Sequence, residues 1–155
     1  MKKISAPPAC LAVDLNPAAA SVSRRTAANN HLFHYEVINA DLLAPLTTRL
    51  RSRVDVLIFN PPYVVTPAEE VVDGGLTASW AGGPRGRQVT DRLLPLVSDM
   101  LARPNGVFYL VTIPENDPEE IGDILKGQGL VGEVVLKRRA GPERLAIYRF
   151  GFAKE

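Results

Sequence analysis

Short apolar runs alternate with segments of helical spacing along the chain. Runs rich in β-branched and aromatic residues are typical of buried strands, and they predict strands at residues 9–13, 33–38, 54–59, 106–113, 130–136 and 144–150. Apolar residues at helical spacing predict a helix at residues 88–101, which Pro95 kinks or divides. Strands that alternate with helices and end in a hairpin predict an α/β sheet covered on both faces.

Capping residues mark where two further helices begin. Asn16 followed by Pro17 is typical of an N-cap and a first helical position, and the Ala-rich segment after them continues that helix. Asp117 or Asn116 caps another helix, which carries negative charge in its first turn. The last two strands form an antiparallel hairpin, with its turn predicted at residues 138–142.

Composition narrows the class of protein. A length of 155 residues favours one domain with a single core, and a net charge of +1 argues against strong attraction to nucleic acid or an anionic membrane. The single Cys10 fits a reducing compartment, and no apolar stretch approaches the roughly 20 residues that span a bilayer. We therefore expect a cytoplasmic protein, with the nucleus also open, and we expect His31 and His34 to be surface residues rather than metal ligands.

The sequence Asn60-Pro61-Pro62-Tyr63 follows the third predicted strand. The prolines stiffen the loop and remove two backbone donors, and Pro61 holds Asn60 extended. A side-chain amide oxygen and a backbone carbonyl then lie beside an aromatic ring, which suits a planar NH2 group. The alternative is a rigid turn that only ends the strand. The segment 64–87 that follows is rich in Gly, Pro and acidic residues, and so long a loop is usually functional or disordered.

Three polar side chains stand at the ends of successive predicted strands. Asp14 ends the first, Asp41 follows the second and Asn60 follows the third. Ligands of open α/β sheets bind at the carboxyl ends of strands, so we expect these side chains to converge on one crevice. A carboxylate there typically accepts hydrogen bonds from ribose hydroxyls, and Asp14 fits that role. Taken alone, Asp14 could equally be a helix cap and Asp41 a turn residue.

These motifs resemble those of the HemK-type, S-adenosylmethionine-dependent class I methyltransferases, which methylate the glutamine of release factors. The likeness is strongest to the eukaryotic and archaeal branch and runs from about Leu11 to the C-terminus. It is carried by the Asn-Pro-Pro-Tyr motif and by Val64-Val65-Thr66-Pro67, Trp80-Ala81-Gly82-Gly83, Gly86-Arg87-Gln88-Val89-Thr90-Asp91-Arg92, Phe108-Tyr109-Leu110-Val111-Thr112 and Glu115-Asn116.

The resemblance implies a Rossmann-like class I sheet and a role for each site residue. Asp14 would hold the cofactor ribose, Asp41 with the backbone of Leu42 would bind its adenine, and Asn60 would also belong to the cofactor-binding site. The catalytic motif would be Asn60, Pro61, Pro62 and Tyr63. Within it, the side chain of Asn60 and the carbonyl of Pro61 would hold the substrate amide. Tyr63 would pack beside that amide. Neither a metal nor a covalent intermediate is called for.

One part of the family pattern is absent from this sequence. The family's first strand and its Glu-x-Gly-x-Gly turn, which cradles the methionine part of the cofactor, have no counterpart before Leu11. In the class I strand order 3-2-1-4-5-7-6, that loss leaves strands 2 and 4 with exposed edges. We therefore expect residues 1–155 to be a single, N-terminally truncated methyltransferase domain with residues 1–8 disordered. We also expect weak cofactor binding or none, which a calorimetric titration with S-adenosylmethionine tests.

The resemblance also implies partners. The substrate would be a translation termination factor, methylated on its Gly-Gly-Gln loop. A small zinc-binding Trm112-type activator would form a heterodimer at the sheet edge around Tyr35 to Ile38, which is otherwise a solvent-exposed edge blunted by Glu36. We expect no membrane partner, and nucleic acid is disfavoured.

Other functions stay open on the sequence alone. The Asn-Pro-Pro-Tyr motif is shared with adenine-N6 methyltransferases of DNA and RNA, although the near-neutral charge and the lack of a target-recognition domain weigh against them. Methylation of a protein lysine is a minor possibility. After glutamine methylation and adenine methylation, the third class of function is a non-catalytic isoform that only binds the activator subunit.

Overall fold

The computed structural model describes residues 8–72 and 76–153, apart from the side chains of Val72 and Leu76. Except for Pro8, the residues expected to be disordered at the N-terminus lie outside this description. The chain divides into two compact units, Met1–Leu46 and Thr47–Glu155. Whether the two units belong to one methyltransferase domain stays a prediction.

The first unit is a β-α-β arrangement of β1 (Cys10–Asp14), α1 (Pro17–Asn29) and β2 (Tyr35–Asn39). Its two strands pair in parallel, with Asp14 opposite Asn39. The Asn16 side chain accepts hydrogen bonds from the backbone of Ala18 and Ala19, which confirms the predicted N-cap. Helix α1 buries the small side chains of Ala20 and Ala27.

The second unit is built on a sheet of β3 (Val56–Phe59), β4 (Val107–Thr112), β5 (Leu130–Ala140) and β6 (Glu143–Phe152). Their order is β3-β4-β6-β5, with β3 parallel to β4 and the other pairs antiparallel. The core lies on one face, where the stacked rings of Phe108 and Phe150 lie 6.0 Å apart between centroids. Ile121 and Leu125 are also fully buried in this core.

Short helices connect these strands, and they are α2 (Thr47–Leu50), α3 (Glu69–Val72), α4 (Thr90–Leu93), α5 (Val97–Met100) and α6 (Pro118–Lys126). The predicted helix around Pro95 is divided there by a 3₁₀ turn at Leu94–Leu96, as expected of an interior proline. The Asp117 side chain caps α6 by accepting a hydrogen bond from the backbone of Glu120. Within the described residues, no helix is both long and apolar enough to cross a membrane.

The hairpin differs from its prediction in two ways. The predicted turn at residues 138–142 is wrong, because β5 continues to Ala140 and pairs it with Glu143. Gly141, at φ +60°, takes the left-handed conformation that so tight a turn needs. The predicted cover on both faces is also wrong for β5, whose residues from Val131 to Ala140 are exposed.

The strands that would flank the family's missing central strand, β1 and β3, each have an edge without a partner strand among the described residues. Among the described residues, β1 pairs only with β2 and β3 pairs only with β4. Within each unit the strand order agrees with the corresponding part of the class I order, and the two edges expected to be exposed, on β1 and on β3, are present. On β3, Val56 is 54% exposed and Ile58 is 72% exposed.

Candidate active site

The predicted site residues fall into both units. Asp14, Asp41 and Leu42 belong to the first, and the Asn-Pro-Pro-Tyr loop belongs to the second. Within the first unit, the parallel pairing of β1 and β2 brings Asp14 and Asp41 to the same end of the sheet. Convergence of these carboxylates with Asn60 stays a prediction.

Asp14 is held in a tight turn at the end of β1. Its Oδ1 accepts a hydrogen bond from the backbone N–H of Asn16 at 2.8 Å. The side chain of Asn39, opposite on β2, donates to the carbonyls of Asp14 and Leu15 at 2.9 and 2.8 Å. The carboxylate is therefore fixed by one oxygen, and among the described residues its Oδ2 has no hydrogen-bond partner.

The segment after β2 forms a turn anchored by buried leucines. Leu42 has φ +49°, and the backbone N–H of Ala44 donates to the carbonyl of Asp41 at 3.3 Å. Leu43 and Leu46, which follow directly, are buried. Asp41 itself is exposed, at the same sheet end as Asp14.

Asn60 stands exposed directly after β3. Across residues 8–72 and 76–153, the structure gives no hydrogen bond to its side chain or to the carbonyl of Pro61. Pro61 is buried, whereas Pro62 and Tyr63 are partly buried, so the loop is anchored behind Asn60. Two acceptors therefore stand free on a stiff support, which is the arrangement that a planar amide NH2 requires.

The glycine-rich segment 80–87, which we call the brace, pairs with the residues that follow the Asn-Pro-Pro-Tyr motif. The backbone of Val64 donates to the carbonyl of Trp80 at 3.0 Å and accepts from Gly82 at 2.8 Å. Beyond it, Thr66 and Gly83 exchange a backbone bond of 3.2 Å and a side-chain bond of 3.1 Å. The two segments thus form a short parallel ladder. This pairing accounts for the apolar and glycine residues of segment 64–87, which have no helical or strand periodicity.

Asn116 joins the braced loop to the end of β4. Its side chain is 1% exposed, and its Nδ2 donates to the carbonyls of Tyr63 at 2.9 Å and Arg85 at 3.0 Å. The same nitrogen lies 3.3 Å from the carbonyl of Gly86, and Oδ1 accepts from the backbone of Ile113 at 2.8 Å. Every polar atom of this buried amide is satisfied, so Asn116 fixes the backbone of the Asn-Pro-Pro-Tyr loop.

Two glycines allow the brace to approach closely. A Cβ on Gly82 would lie 2.5 Å from the carbonyl oxygen of Pro62. Gly86 has φ +64°, and a Cβ there would overlap the carbonyl of Tyr63 and the side-chain nitrogen of Asn116. Only glycine fits at either position without displacing the Pro-Pro-Tyr backbone.

An ion-pair network ties the brace to α6. Arg87 is 3% exposed, and it donates to Asp91 at 2.7 Å and to Glu120 at 2.6 Å. Arg85 pairs with Asp117 at 2.8 Å and also with Glu120. Hydrogen bonds from Arg85 and then from Arg87 hold the pKa of Glu120 below its usual range. The buried Arg87 charge is thus compensated, as a buried cation must be.

Tyr63 is oriented by the hairpin. Its hydroxyl donates to Oε2 of Glu143, the first residue of β6, at 3.0 Å. Burial raises the pKa of Tyr63, and the hydrogen bond to Glu143 raises it further. Tyr63 therefore remains a neutral phenol at physiological pH, with its ring fixed at one end by Glu143.

The sequence assigns no site role to several of these residues. Asn116 is predicted there as a helix cap and, like Arg87, belongs to the family pattern, whereas Glu143 belongs to neither. The pairing of Glu115-Asn116 with the Gly-Arg motif in the family pattern is the signal that links them. His31 and His34 are exposed, as expected.

The described residues fit one half of the implied cofactor. Asp14 and the Asp41 turn offer acceptors and backbone groups at one sheet end, which suits a nucleoside. Residues 8–72 contain no glycine, so this part of the described chain offers no Gly-x-Gly cradle for a methionine group.

Comparison with known proteins identifies relatives over most of the chain. No protein-family model matches it. The Homo sapiens methyltransferase HEMK2 is 50% identical over 140 residues, which are 90% of this chain and 64% of that protein. The Schizosaccharomyces pombe eRF1 methyltransferase catalytic subunit mtq2 is 39% identical over 143 residues, covering 88% of this chain and 61% of that protein. The chain thus spans less than two thirds of the length of these curated relatives.

The fold has a counterpart in a solved complex. The E. cuniculi Mtq2–Trm112 complex, described as responsible for methylation of the eRF1 translation termination factor, matches with a TM-score of 0.61 and 24% identity. The match covers 93% of this chain and 84% of that chain, and it supports the Rossmann-like class I arrangement. The sequence relatives carry the likeness further than the fold does: over most of its length the chain is similar to HEMK2 and mtq2, and these relatives support a HemK-type class I methyltransferase.

Proposed function

We propose that this protein is an S-adenosylmethionine-dependent methyltransferase that acts on the side-chain amide of glutamine in the Gly-Gly-Gln motif of a translation termination factor. The observation that carries the proposal is the pair of free acceptors at the end of β3. The side chain of Asn60 and the carbonyl of Pro61 have no other partner among the described residues, and a buried brace holds the loop that presents them.

The chemistry of an amide suits this arrangement. An amide nitrogen is a poor nucleophile because its lone pair is delocalised into the carbonyl. Acceptors on both of its hydrogens return electron density to nitrogen as the new N–C bond forms. Positioning and electrostatic stabilisation by Asn60 and Pro61 are therefore the catalytic contribution, without a nucleophilic side chain. Tyr63, held by Glu143, packs beside the amide plane.

The nucleoside half of the donor would be held at the carboxyl ends of β1 and β2. S-adenosylmethionine, when bound, would supply the methyl group on a sulfonium that is a good leaving group. Asp14 would bind the ribose hydroxyls through the oxygen that has no partner among the described residues, and Asp41 with the backbone of Leu42 would bind the adenine. The fixed turn at Asp14 supports this proposal, since one carboxylate oxygen is already held by Asn16.

The names of the relatives support the choice of substrate. The fission-yeast relative is an eRF1 methyltransferase catalytic subunit, and its 39% identity is measured over a match that covers 88% of this chain. The second candidate substrate is the exocyclic amine of adenine, since the same two acceptors suit any planar NH2 group. A net charge of +1 gives little attraction to phosphates and disfavours it.

We also propose a Trm112-type partner at the outer edge of β2. The E. cuniculi protein of this fold was solved with Trm112. In this chain Leu32 is 55% exposed and Phe33 is 86% exposed, immediately before β2. The side chain of Arg24 donates a hydrogen bond to the carbonyl of Val37 at 3.2 Å, so one acceptor of the strand edge already has a partner. Burial of Leu32 and Phe33 would therefore contribute more to partner binding than backbone pairing would.

Radiolabelled donor separates the functions. The chain, co-expressed with a Trm112-type subunit, is incubated with the termination factor and, in parallel, with adenine-containing DNA and RNA. Label in the termination factor alone supports the proposal. Label in nucleic acid contradicts it in favour of adenine methylation, and label in neither, with a stable complex, favours a non-catalytic role.

A further inference from the structure

A cleft of about 890 Å³ lies between the start of α6 and the β5–β6 hairpin. We name it the hairpin cleft. Its α6 side is lined by carboxylates, Glu115, Asp117 and Glu119. Its hairpin side is lined by four cations, Lys137, Arg138, Arg139 and Arg144. Lys137, Arg139 and Arg144 share one face of the hairpin by the strand register, and no role described above uses the cleft that they line.

Most of these cations lack a counter-ion. Among the described residues, no salt bridge involves Lys137, Arg138 or Arg144, and Arg139 donates only to the carbonyl of Gly141 at 3.2 Å. Arg139 lies directly opposite Arg144 in the ladder. Like charges in such a pair destabilise a hairpin, so an anionic ligand between them would relieve a cost that the fold carries.

A buried hydroxyl lies in the same lining. Thr112 pairs with Ala146, and Ala146 pairs with Lys137, so the three form one row across the sheet. Thr112 is 2% exposed, and its Oγ1 has no hydrogen-bond partner in the part of the chain that the structure describes. Buried polar groups are nearly always paired, so this hydroxyl indicates a site that a ligand group completes.

The hairpin cleft adjoins the catalytic loop on two sides. Arg144 follows Glu143, which accepts the hydrogen bond of Tyr63. Glu115 and Asp117 flank Asn116, which binds the carbonyl of Tyr63. A polypeptide whose amide is held at Asn60 therefore has its neighbouring residues within reach of the cleft.

We propose that the hairpin cleft binds the segment of the protein substrate next to the accepted amide, and that acidic side chains of that segment pair with Lys137 and Arg144. The inference rests on the proposed function for the position of the amide. A carboxylate of the substrate can pair with the Arg144 guanidinium through two parallel hydrogen bonds. The facing pair of Arg139 and Arg144 provides the excess positive charge that attracts it.

The opposite wall favours a polypeptide over a nucleic acid. Glu115 and Glu119 have no salt bridge among the described residues and would repel a phosphate backbone that enters the cleft. A polypeptide can place a carboxylate toward the hairpin without presenting negative charge to α6. The two walls together favour a polypeptide with a single carboxylate directed at the hairpin over a phosphate backbone with negative charge on all sides.

Peptide binding tests the inference without requiring methyl transfer. Fluorescently labelled Gly-Gly-Gln peptides that carry Glu, Ala or Lys beside the glutamine are titrated with the full chain and any subunit that co-purifies. At low salt we expect the Glu peptide to bind about tenfold more tightly than the Ala peptide, with the preference falling as salt screens the charges.

Charge reversal assigns that preference to the cleft. The double variant Lys137→Glu/Arg144→Glu is expected to abolish the preference for the Glu peptide, whereas Arg53→Glu, an exposed cation of the same unit outside the cleft, should retain it. Unchanged thermal unfolding of the double variant verifies that the hairpin is folded.

The outcomes separate this inference from the proposed function. Equal binding of the Glu and Ala peptides, or tighter binding of the Lys peptide that the double variant does not alter, overturns the inference even if glutamine is methylated. If a single-stranded RNA binds more tightly than the Glu peptide, and the double variant abolishes that binding, the cleft binds nucleic acid and the inference is overturned. A Glu preference that the double variant removes supports it, even if no glutamine is methylated.

Discussion

At the scale of single residues, two asparagines of the site have opposite surroundings. Asn60 is exposed, and its side chain has no partner among the described residues. Asn116 is buried and uses both polar atoms of its side chain on backbone groups. Asn60 is therefore available to the substrate amide that we propose, whereas Asn116 holds the loop that carries Asn60.

Asn116→Ala tests the holding role. The substitution leaves a buried backbone N–H and the carbonyls of the brace without a partner, which costs roughly 1–3 kcal/mol. We expect a lower midpoint in urea unfolding together with reduced methyl transfer. Asn105→Ala, at an exposed asparagine of the same unit, is the matched control and should change neither. An Asn116→Ala variant of unaltered stability and activity would remove Asn116 from the site.

At the scale of elements, the close contact between the glycine-rich brace and the catalytic loop sets the position of the motif. Gly86 and Gly141 offer a matched pair, because both have positive φ, at +64° and +60°. A Cβ on Gly86 meets the carbonyl of Tyr63, whereas nothing lies within 4 Å of one on Gly141.

Gly141→Ala should therefore cost only the backbone strain of a left-handed alanine, about 1–2 kcal/mol. Gly86→Ala pays that strain and also displaces the loop, so we expect a larger loss of unfolding free energy and a loss of methyl transfer. Equal stability losses in the two variants would show that the brace does not press on the loop.

The ion pairs between the brace and α6 predict a pH dependence. The pKa of Glu120 is lowered by hydrogen bonds from Arg85 and Arg87, so the fold favours its charged form. The resulting stabilisation is present above the ordinary pKa of 4.5 and is lost as the pH falls through the lowered value. Glu120→Gln should lower the melting temperature at neutral pH, with the difference from the wild type narrowing below pH 4.5.

The neighbouring Glu119 supplies the control for this experiment. It is exposed and has no salt bridge among the described residues, so Glu119→Gln should not alter the pH profile of melting. A Glu120→Gln deficit that persists unchanged in acid would exclude the ion pairs as its cause.

Local signals in the sequence predicted the elements better than the contacts between them. Asn16 with Pro17, and Pro95, act within one helical turn, so the cap of α1 and the divided helix were predictable. The Asn60 loop was predictable because its prolines act on their immediate neighbours. The role of Asn116 was not, because it depends on Tyr63, 53 positions away. The hairpin turn was misplaced because the Arg138-Arg139 pair was taken for a loop rather than strand.

At the scale of the whole molecule, the proposed partner surface lies in the first unit, on Leu32 and Phe33 before β2. Phe33→Asp places a charge on a side chain that is already 86% exposed, so the fold should be unaffected. We expect this variant to lose co-purification with a Trm112-type subunit. Val22→Asp, at an exposed apolar residue of α1, is the matched control and should retain the partner. Full recovery of the complex with Phe33→Asp would place the partner elsewhere.

The most direct test of the central claim is site-resolved mass spectrometry of a termination factor after incubation with the donor and the co-expressed complex. With the wild-type chain, at a donor concentration high enough to offset the weak cofactor binding expected from the sequence, we predict one methyl group on the glutamine of the Gly-Gly-Gln motif. With Asn60→Ala, which removes one acceptor from an exposed position and should leave stability within about 0.5 kcal/mol, we predict none. Methylation of that glutamine by Asn60→Ala at the wild-type rate would contradict the assignment of the Asn-Pro-Pro-Tyr loop as the amide-binding site.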